Sequence, residues 1–213
     1  LAQTGLPLSG PDRAARIWGA AERLREGIGA PLPPSERPRH DRQVAAAIHR
    51  ALREDAGDLL VFLPGAGEIR RVESLLGGKI DAQLHPLYGD LPREAQERAI
   101  QPAPAGKRKV VLATNIAETS LTIEGIRVVI DAGLERRNVF DPRSGMNRLE
   151  TVPISQASAD QRRGRAGRLA PGVCDRLWTE ARQRSLAAHT PPEIVSADLA
   201  PLALELACWG TRD

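Results

Sequence analysis

In the stretch Gln161-Arg162-Arg163-Gly164-Arg165-Ala166-Gly167-Arg168, one amide and two guanidiniums, those of Gln161, Arg165 and Arg168, stand at i, i+4 and i+7. An α-helix turning about 100° per residue would carry the three on one stripe and direct Arg162 and Arg163 elsewhere. Such a stripe is a clamp for oxyanions, and the chemistry it suits is stabilisation of charge on a phosphoryl group in transfer. That arginine-finger role is worth about 10³ to 10⁵ in rate in other systems. Gly164 and Gly167 would each cost about 1 kcal/mol relative to alanine in a helix interior. A merely solvated basic face gains nothing from them, whereas a face stripped of side chains lets a backbone or a ligand come close.

Other residues could share the work. Thr114 and Asn115 follow the apolar run Lys109 to Ala113, and in open α/β sheets the carboxyl ends of strands are where ligands sit. Ile116 to Thr122 is rich in hydroxyls and carries Glu118. Gly65-Ala66-Gly67 follows the apolar run Leu59 to Leu63 and opens a helical pattern, a turn that offers backbone N–H groups to phosphate. A complete nucleotide hydrolase would also need a phosphate cradle, and no G-x-x-x-x-G-K-[ST] is present. Gly77-Gly78-Lys79-Ile80 lacks both the leading glycine and the hydroxyl. The chain is therefore expected to supply half of a site whose other half comes from elsewhere.

These residues need a scaffold. Leu59 to Leu63, bounded by Asp58 and Pro64-Gly65, reads as a strand buried on both faces. Leu84 to Leu87, Lys109 to Ala113, Val128 to Ile130 and Val173 to Trp178 read as further strands. Val44, Ile48 and Leu52 predict a helix from Asp41 to near Gly57, Ile69 to Leu76 a second, and Pro92 to Ile100 a third. Strands alternating with helices at this spacing predict an α/β fold with a doubly wound parallel sheet. Arg137 to Phe140 and Met146 to Val152 flank the turn sequence Asp141-Pro142-Arg143-Ser144-Gly145, which predicts a projecting β-hairpin. Ser158, three residues before Gln161, predicts a capped helix start, and Pro171-Gly172 its end. Pro11 to Gly27 reads as a helix, Ala30 to Pro34 as a break, and Asp198 as the cap of a last helix through Leu202, Leu204, Leu206 and Trp209. Three segments follow: residues 1–40 as helix and linker, 41–185 as the main domain, and 186–213 as the start of a further module.

Thirty basic against 27 acidic residues leave a net charge of only +3, so a polyanion partner is weakly favoured. Lys79, Lys107 and Lys109 are the only lysines; arginine, the better bidentate phosphate ligand, supplies the rest. The only aromatics are Trp18, Phe62, Tyr88, Phe140, Trp178 and Trp209, few for a binder that stacks bases, so a nucleic acid would be held by its backbone. Cys174 and Cys208 have no metal or redox spacing and read as reduced core residues of a cytoplasmic protein. No run of 18 apolar residues suggests a membrane span.

Ala113-Thr114-Asn115-Ile116-Ala117-Glu118-Thr119-Ser120-Leu121-Thr122-Ile123 and Gln161 to Arg168 resemble motifs V and VI of DEAH/RHA-type helicases of superfamily 2. Leu60 to Gly65 resembles motif IV, and Pro86 to Pro92 the segment after it. The likeness runs from about Asp41 to Glu180, and Leu63 to Ile69 with Asp198 to Gly210 look most like the bacterial HrpB-type branch. The resemblance implies a second RecA-like domain followed by the start of a winged helix, with ATP and Mg²⁺ bound mainly through an absent first RecA-like domain. It implies that Arg165 and Arg168 reach the γ-phosphate, that Gln161 holds that phosphate or the attacking water, and that Ser120 lies near it. Thr122 and Glu124 would lie near the ribose, and Thr114 and Asn115, with the Gly65 turn, would grip an RNA backbone with little regard to sequence. Ile100 stands where related eukaryotic enzymes place a Phe that stacks on adenine, and offers only an apolar wall. Two rivals follow: a non-catalytic RNA-binding or adaptor module derived from a helicase, and an unrelated α/β domain lacking an exposed helical stripe of Gln161, Arg165 and Arg168.

Overall fold

The computed structural model describes residues 36–119, 121–141, 143–166, 168, 171–192, 194 and 197–210. The helix expected over 11–27, the linker through Pro34, and Ser120 lie outside them. The order is α1 (Arg37–Glu54), β1 (Asp58–Phe62), α2 (Ala66–Leu76), β2 (Gln83–Leu87), α3 (Arg93–Ile100), β3 (Lys109–Ala113), α4 (Ile116–Thr119) and β4 (Ile126–Asp131). β5 (Leu134–Asp141), β6 (Met146–Pro153), α5 (Gln156–Arg163), β7 (Val173–Arg176), α6 (Glu180–Ser185) and α7 (Ala200–Cys208) complete it.

Five strands form one parallel sheet in the order β2-β3-β1-β4-β7. β1 is fully buried, as a central strand covered on both faces must be. Its alternate residues divide between two cores. Leu59 and Val61 pack with Val44, Ile48 and Ala51 of α1 and Ile69, Val72 and Leu76 of α2. Leu60 and Phe62 face the other way, against Ala99 of α3, Ala117 of α4 and Ala166. β5 and β6 pair as a separate antiparallel hairpin closed by a turn in which Asp141 Oδ1 accepts from Arg143 N–H at 3.0 Å. The expected α/β sheet and hairpin are thus both present. Among the described residues no helix is long and apolar enough to cross a membrane.

Four expectations change. The helix ahead of the arginines starts a turn earlier, because Ser155, and not Ser158, is its cap: Ser155 Oγ accepts from Ser158 N–H at 3.1 Å. It also ends earlier, at Arg163. Arg165 N–H and Ala166 N–H donate to Arg162 O and Arg163 O, tightening the chain into turns after Gly164. Gln161, Arg165 and Arg168 therefore share no helical stripe. Cys208 is exposed rather than a core residue, and Cys174 is only partly buried.

Candidate functional site

At the carboxyl edge of the sheet three chain segments lie side by side. Leu63 N–H donates to Ala113 O and Ala132 N–H to Phe62 O, which brings the Gly65 turn, Thr114-Asn115 and Ala132-Gly133 together. Asn115 is exposed, and Glu118 N–H donates to its carbonyl as α4 begins. Gly65 has φ −167°, ordinary extended backbone, and caps α2. A Cβ there would stand 2.7 Å from Arg136 Nε, so the guanidinium of β5 lies across the turn.

Behind this edge sits an electrostatic knot. Arg162 of α5, only 1% exposed, donates from Nε to Glu118 Oε2 at 3.1 Å and from Nη1 to Asp131 Oδ1 at 2.9 Å, and its guanidinium lies 4.8 Å from the Phe62 ring centroid. A buried cation needs such compensation, since isolating it from water is costly. Burial pushes the Asp131 carboxyl upward in pKa, against the pull of Arg162 and of Gly133 N–H. Ser158 Oγ donates to the other oxygen of Glu118 at 2.6 Å. One carboxylate thereby ties α4 to α5 twice.

Arg165 is held differently. It is 9% exposed, and Nε donates to Glu118 O at 2.8 Å, Nη1 to Leu121 O at 2.7 Å, and Nη2 again to Glu118 O. Arg168 is exposed and donates from Nη1 to Thr122 Oγ1 at 3.1 Å. Among the described residues neither arginine is paired with a carboxylate, while each of their partners is a neutral oxygen. Burial lowers the Arg165 pKa, and the nearby positive charge of Arg168 lowers it further. The Glu118 carboxylate pulls the other way but is bonded to Arg162 and Ser158 and makes no direct pair with Arg165 or Arg168. Two like charges close enough to repel, without a direct carboxylate partner among the described residues, form a receptor for an anion.

The other predicted residues divide. Thr122 joins Arg168 directly. Glu124 is exposed on the same connection, at the amino end of the strands, where its charge reaches the buried Lys109. Lys109 Nζ in turn donates to the carbonyls of Ala99, Ile100 and Gln101 at the end of α3. Gln161 lines a cavity of about 390 Å³ with Asn115, Glu118, Thr119, Ser158 and His189, and makes none of the bonds that gather Arg165, Thr122 and Arg168, although the Glu118 carbonyl that holds Arg165 belongs to a residue of both groups. Sequence reasoning missed Arg162 and Arg136. A signal for Arg162 existed: Asp131 ends an apolar strand, and a carboxylate there requires a buried partner.

Residues 43–170 match the family described as the helicase conserved C-terminal domain. The chain belongs to this family. This helicase C-terminal domain is 53% identical over 185 residues to the ATP-dependent RNA helicase HrpB of Escherichia coli, covering 86% of this chain and 23% of that protein. It is 47% identical over 171 residues to the pre-mRNA-splicing factor ATP-dependent RNA helicase prp22 of Schizosaccharomyces pombe, covering 76% of this chain and 15% of that one. Two crystal structures of E. coli HrpB, one described as a DExH-box NTPase and the other as a DEAH/RHA helicase, match with TM-scores of 0.77 and 0.79. Each does so at 53% identity over 86% of this chain and 23% of the solved chain. The domain is thus of the DEAH/RHA type and HrpB-like, and its fold is RecA-like. It spans less than a quarter of the length of these relatives. The exposed helical stripe is missing, yet the family match excludes an unrelated α/β domain: the failure was in the local geometry assigned to the arginines.

Proposed function

We propose that this chain is the second motor domain of an ATP-dependent RNA helicase and completes a nucleotide site shared with a first RecA-like domain. The observation that carries this reading is the pair Arg165 and Arg168, mutually repelling and bonded to neutral oxygens alone among the described residues. A triphosphate brought by the first domain, with its Mg²⁺, supplies the missing negative charge. The residues fit that group: two cations, one anchored on carbonyls and one on the Thr122 hydroxyl, can meet charge that develops on a transferring phosphoryl group. Thr122, bonded to Arg168, and Glu124 are given the ribose, and Ser120 the γ-phosphate, as the resemblance implies. Gln161 is given the role of holding the attacking water or the γ-phosphate. Thr114 and Asn115, beside the Gly65 turn, grip the RNA backbone at the carboxyl edge.

The test is RNA-stimulated ATP hydrolysis by the full-length protein. Arg165→Ala or Arg168→Ala is expected to lower turnover by about 10³ with RNA binding retained. The isolated chain should hydrolyse no ATP. Intact hydrolysis in both full-length variants would leave the adaptor reading, a module that contacts RNA without turnover.

A further inference from the structure

α1 buries Val44, Ala45, Ile48 and Ala51 at helical spacing against Ile69, Val72 and Leu76 of α2, and the same stripe continues one turn back to Asp41. There an apolar residue gives way to a carboxylate. Asp41 is 2% exposed and holds Arg71 Nε at 2.5 Å, while Arg71 Nη2 donates to Glu68 Oε1 at 2.8 Å. This end of the seam between the helices is thus bridged by an ion pair instead of packed side chains. A hollow of about 440 Å³ opens beside the pair, between Pro38 and Arg42 of α1 and Arg70, Ser74 and Leu75 of α2. The Pro38 ring, the Leu75 side chain and the methylene stems of the arginines give it apolar walls. Its rim is cationic. Arg71 is neutralised by Asp41 and Glu68, but Arg42 and Arg70 are exposed and, among the described residues, bonded to no carboxylate. α1 and α2 cover the face of the sheet opposite α3 and α4, and α4 is the helix whose Glu118 carbonyl holds Arg165. The hollow therefore takes no part in the nucleotide site proposed above.

We infer that this hollow is a docking site for an acidic segment of a partner protein, with an apolar side chain of that segment seated between Pro38 and Leu75 and its carboxylates paired with Arg42 and Arg70. Charge complementarity selects this occupant, because two guanidinium forks without a carboxylate of their own bind carboxylates in bidentate fashion. The apolar walls narrow it further. A phosphate group alone would satisfy the arginines and leave those walls wet, whereas a peptide side chain buried in a pocket supplies the anchor and the surrounding charges fix its orientation.

The experiment selects short random peptides displayed on phage against the immobilised full-length protein, and measures binding of the enriched peptides in solution by fluorescence polarisation. Sequences that place carboxylates on both sides of an apolar residue are expected. Arg42→Glu combined with Arg70→Glu should weaken them by about tenfold or more, since like charges then face one another. Ser74→Trp, which fills the hollow from its rim without changing the charge, should weaken them comparably, and Arg53→Glu, at the far end of α1, should leave them unchanged. All of these positions are exposed, and an unchanged thermal midpoint shows that the fold is kept. Enriched peptides without acidic bias, or acidic peptides that bind every variant alike, overturn the inference. A smaller salt dependence of oligouridylate binding in the Arg42, Arg70 variant would make the two arginines phosphate ligands, and loss of self-association in that variant would make the face a contact between copies of the chain. Either result also overturns it.

Discussion

Arg162 and Asp131 meet at 2.9 Å with both side chains closed to solvent, joining α5 to the end of β4 at the back of the candidate site. Breaking such a pair strands the remaining charge in the interior, at a cost of about 3–5 kcal/mol. Arg162→Met should therefore lower the unfolding free energy by about that amount, measured by urea denaturation of the isolated chain. Arg162→Met combined with Asp131→Leu should recover only part of the loss, since it removes the stranded Asp131 charge but leaves Glu118 Oε2 and Gly133 N–H without these partners. A single-variant loss under about 1 kcal/mol would contradict the burial described.

His40 predicts the response to pH. Burial, the largest influence, holds its pKa below the ordinary 6.5, although Nε2 donates to Ala132 O at 3.3 Å. Its contribution is fully present above 6.5, where the ring is neutral in both folded and unfolded chains. As pH falls through 6.5 the unfolded chain takes up the proton first, so stability drops until the folded ring also titrates. The thermal midpoint should fall between about pH 7 and pH 5, and more steeply than in His40→Gln. Equal slopes in the two proteins would show that His40 does not set this dependence.

Gly172 lies where the chain returns from the arginine turn to β7. A Cβ there would stand 1.9 Å from Ala166 O and 2.7 Å from Arg127 O, both main-chain atoms that cannot swing aside. Gly172→Ala should destabilise the chain by about 1–3 kcal/mol or more through overpacking. It should also displace the turn that carries Arg165. Wild-type unfolding behaviour in this variant would refute the close approach.

The two cysteines should differ in reactivity. Burial raises the Cys174 thiol to about 11, whereas Cys208 is exposed. With iodoacetamide at pH 8 the native chain should be alkylated at Cys208 well before Cys174, because the thiolate is the nucleophile. Mass spectrometry of the modified peptides reads the order, and equal rates would count against the partly buried placement of Cys174.

The sheet was legible because Leu59–Leu63 and Lys109–Ala113 are continuous apolar runs, and the hairpin because Asp141 to Gly145 has turn chemistry of its own. α4 was not, since a four-residue helix shows no periodicity, and α6 was not, since none of its residues is buried. The candidate site was half legible. Motif spacing brought Arg165, Arg168 and Thr122 into view, but the end of α5 at Arg163 depends on turns that only the packed chain reveals. The partners of Arg162 lie 31 and 44 residues away, so its burial is a property of the tertiary fold.

The seat of Arg165 consists of main-chain oxygens, those of Glu118 and Leu121. No exchange of side chains at those two positions can delete an acceptor that every amino acid carries. The seat is thus insulated from most side-chain exchanges in its own loop, and a change in the path of the backbone, such as an insertion or a substitution by proline, is what can unmake it. Arg168 rests on the Thr122 hydroxyl and has no such protection, so the two cations are unequally exposed to mutation.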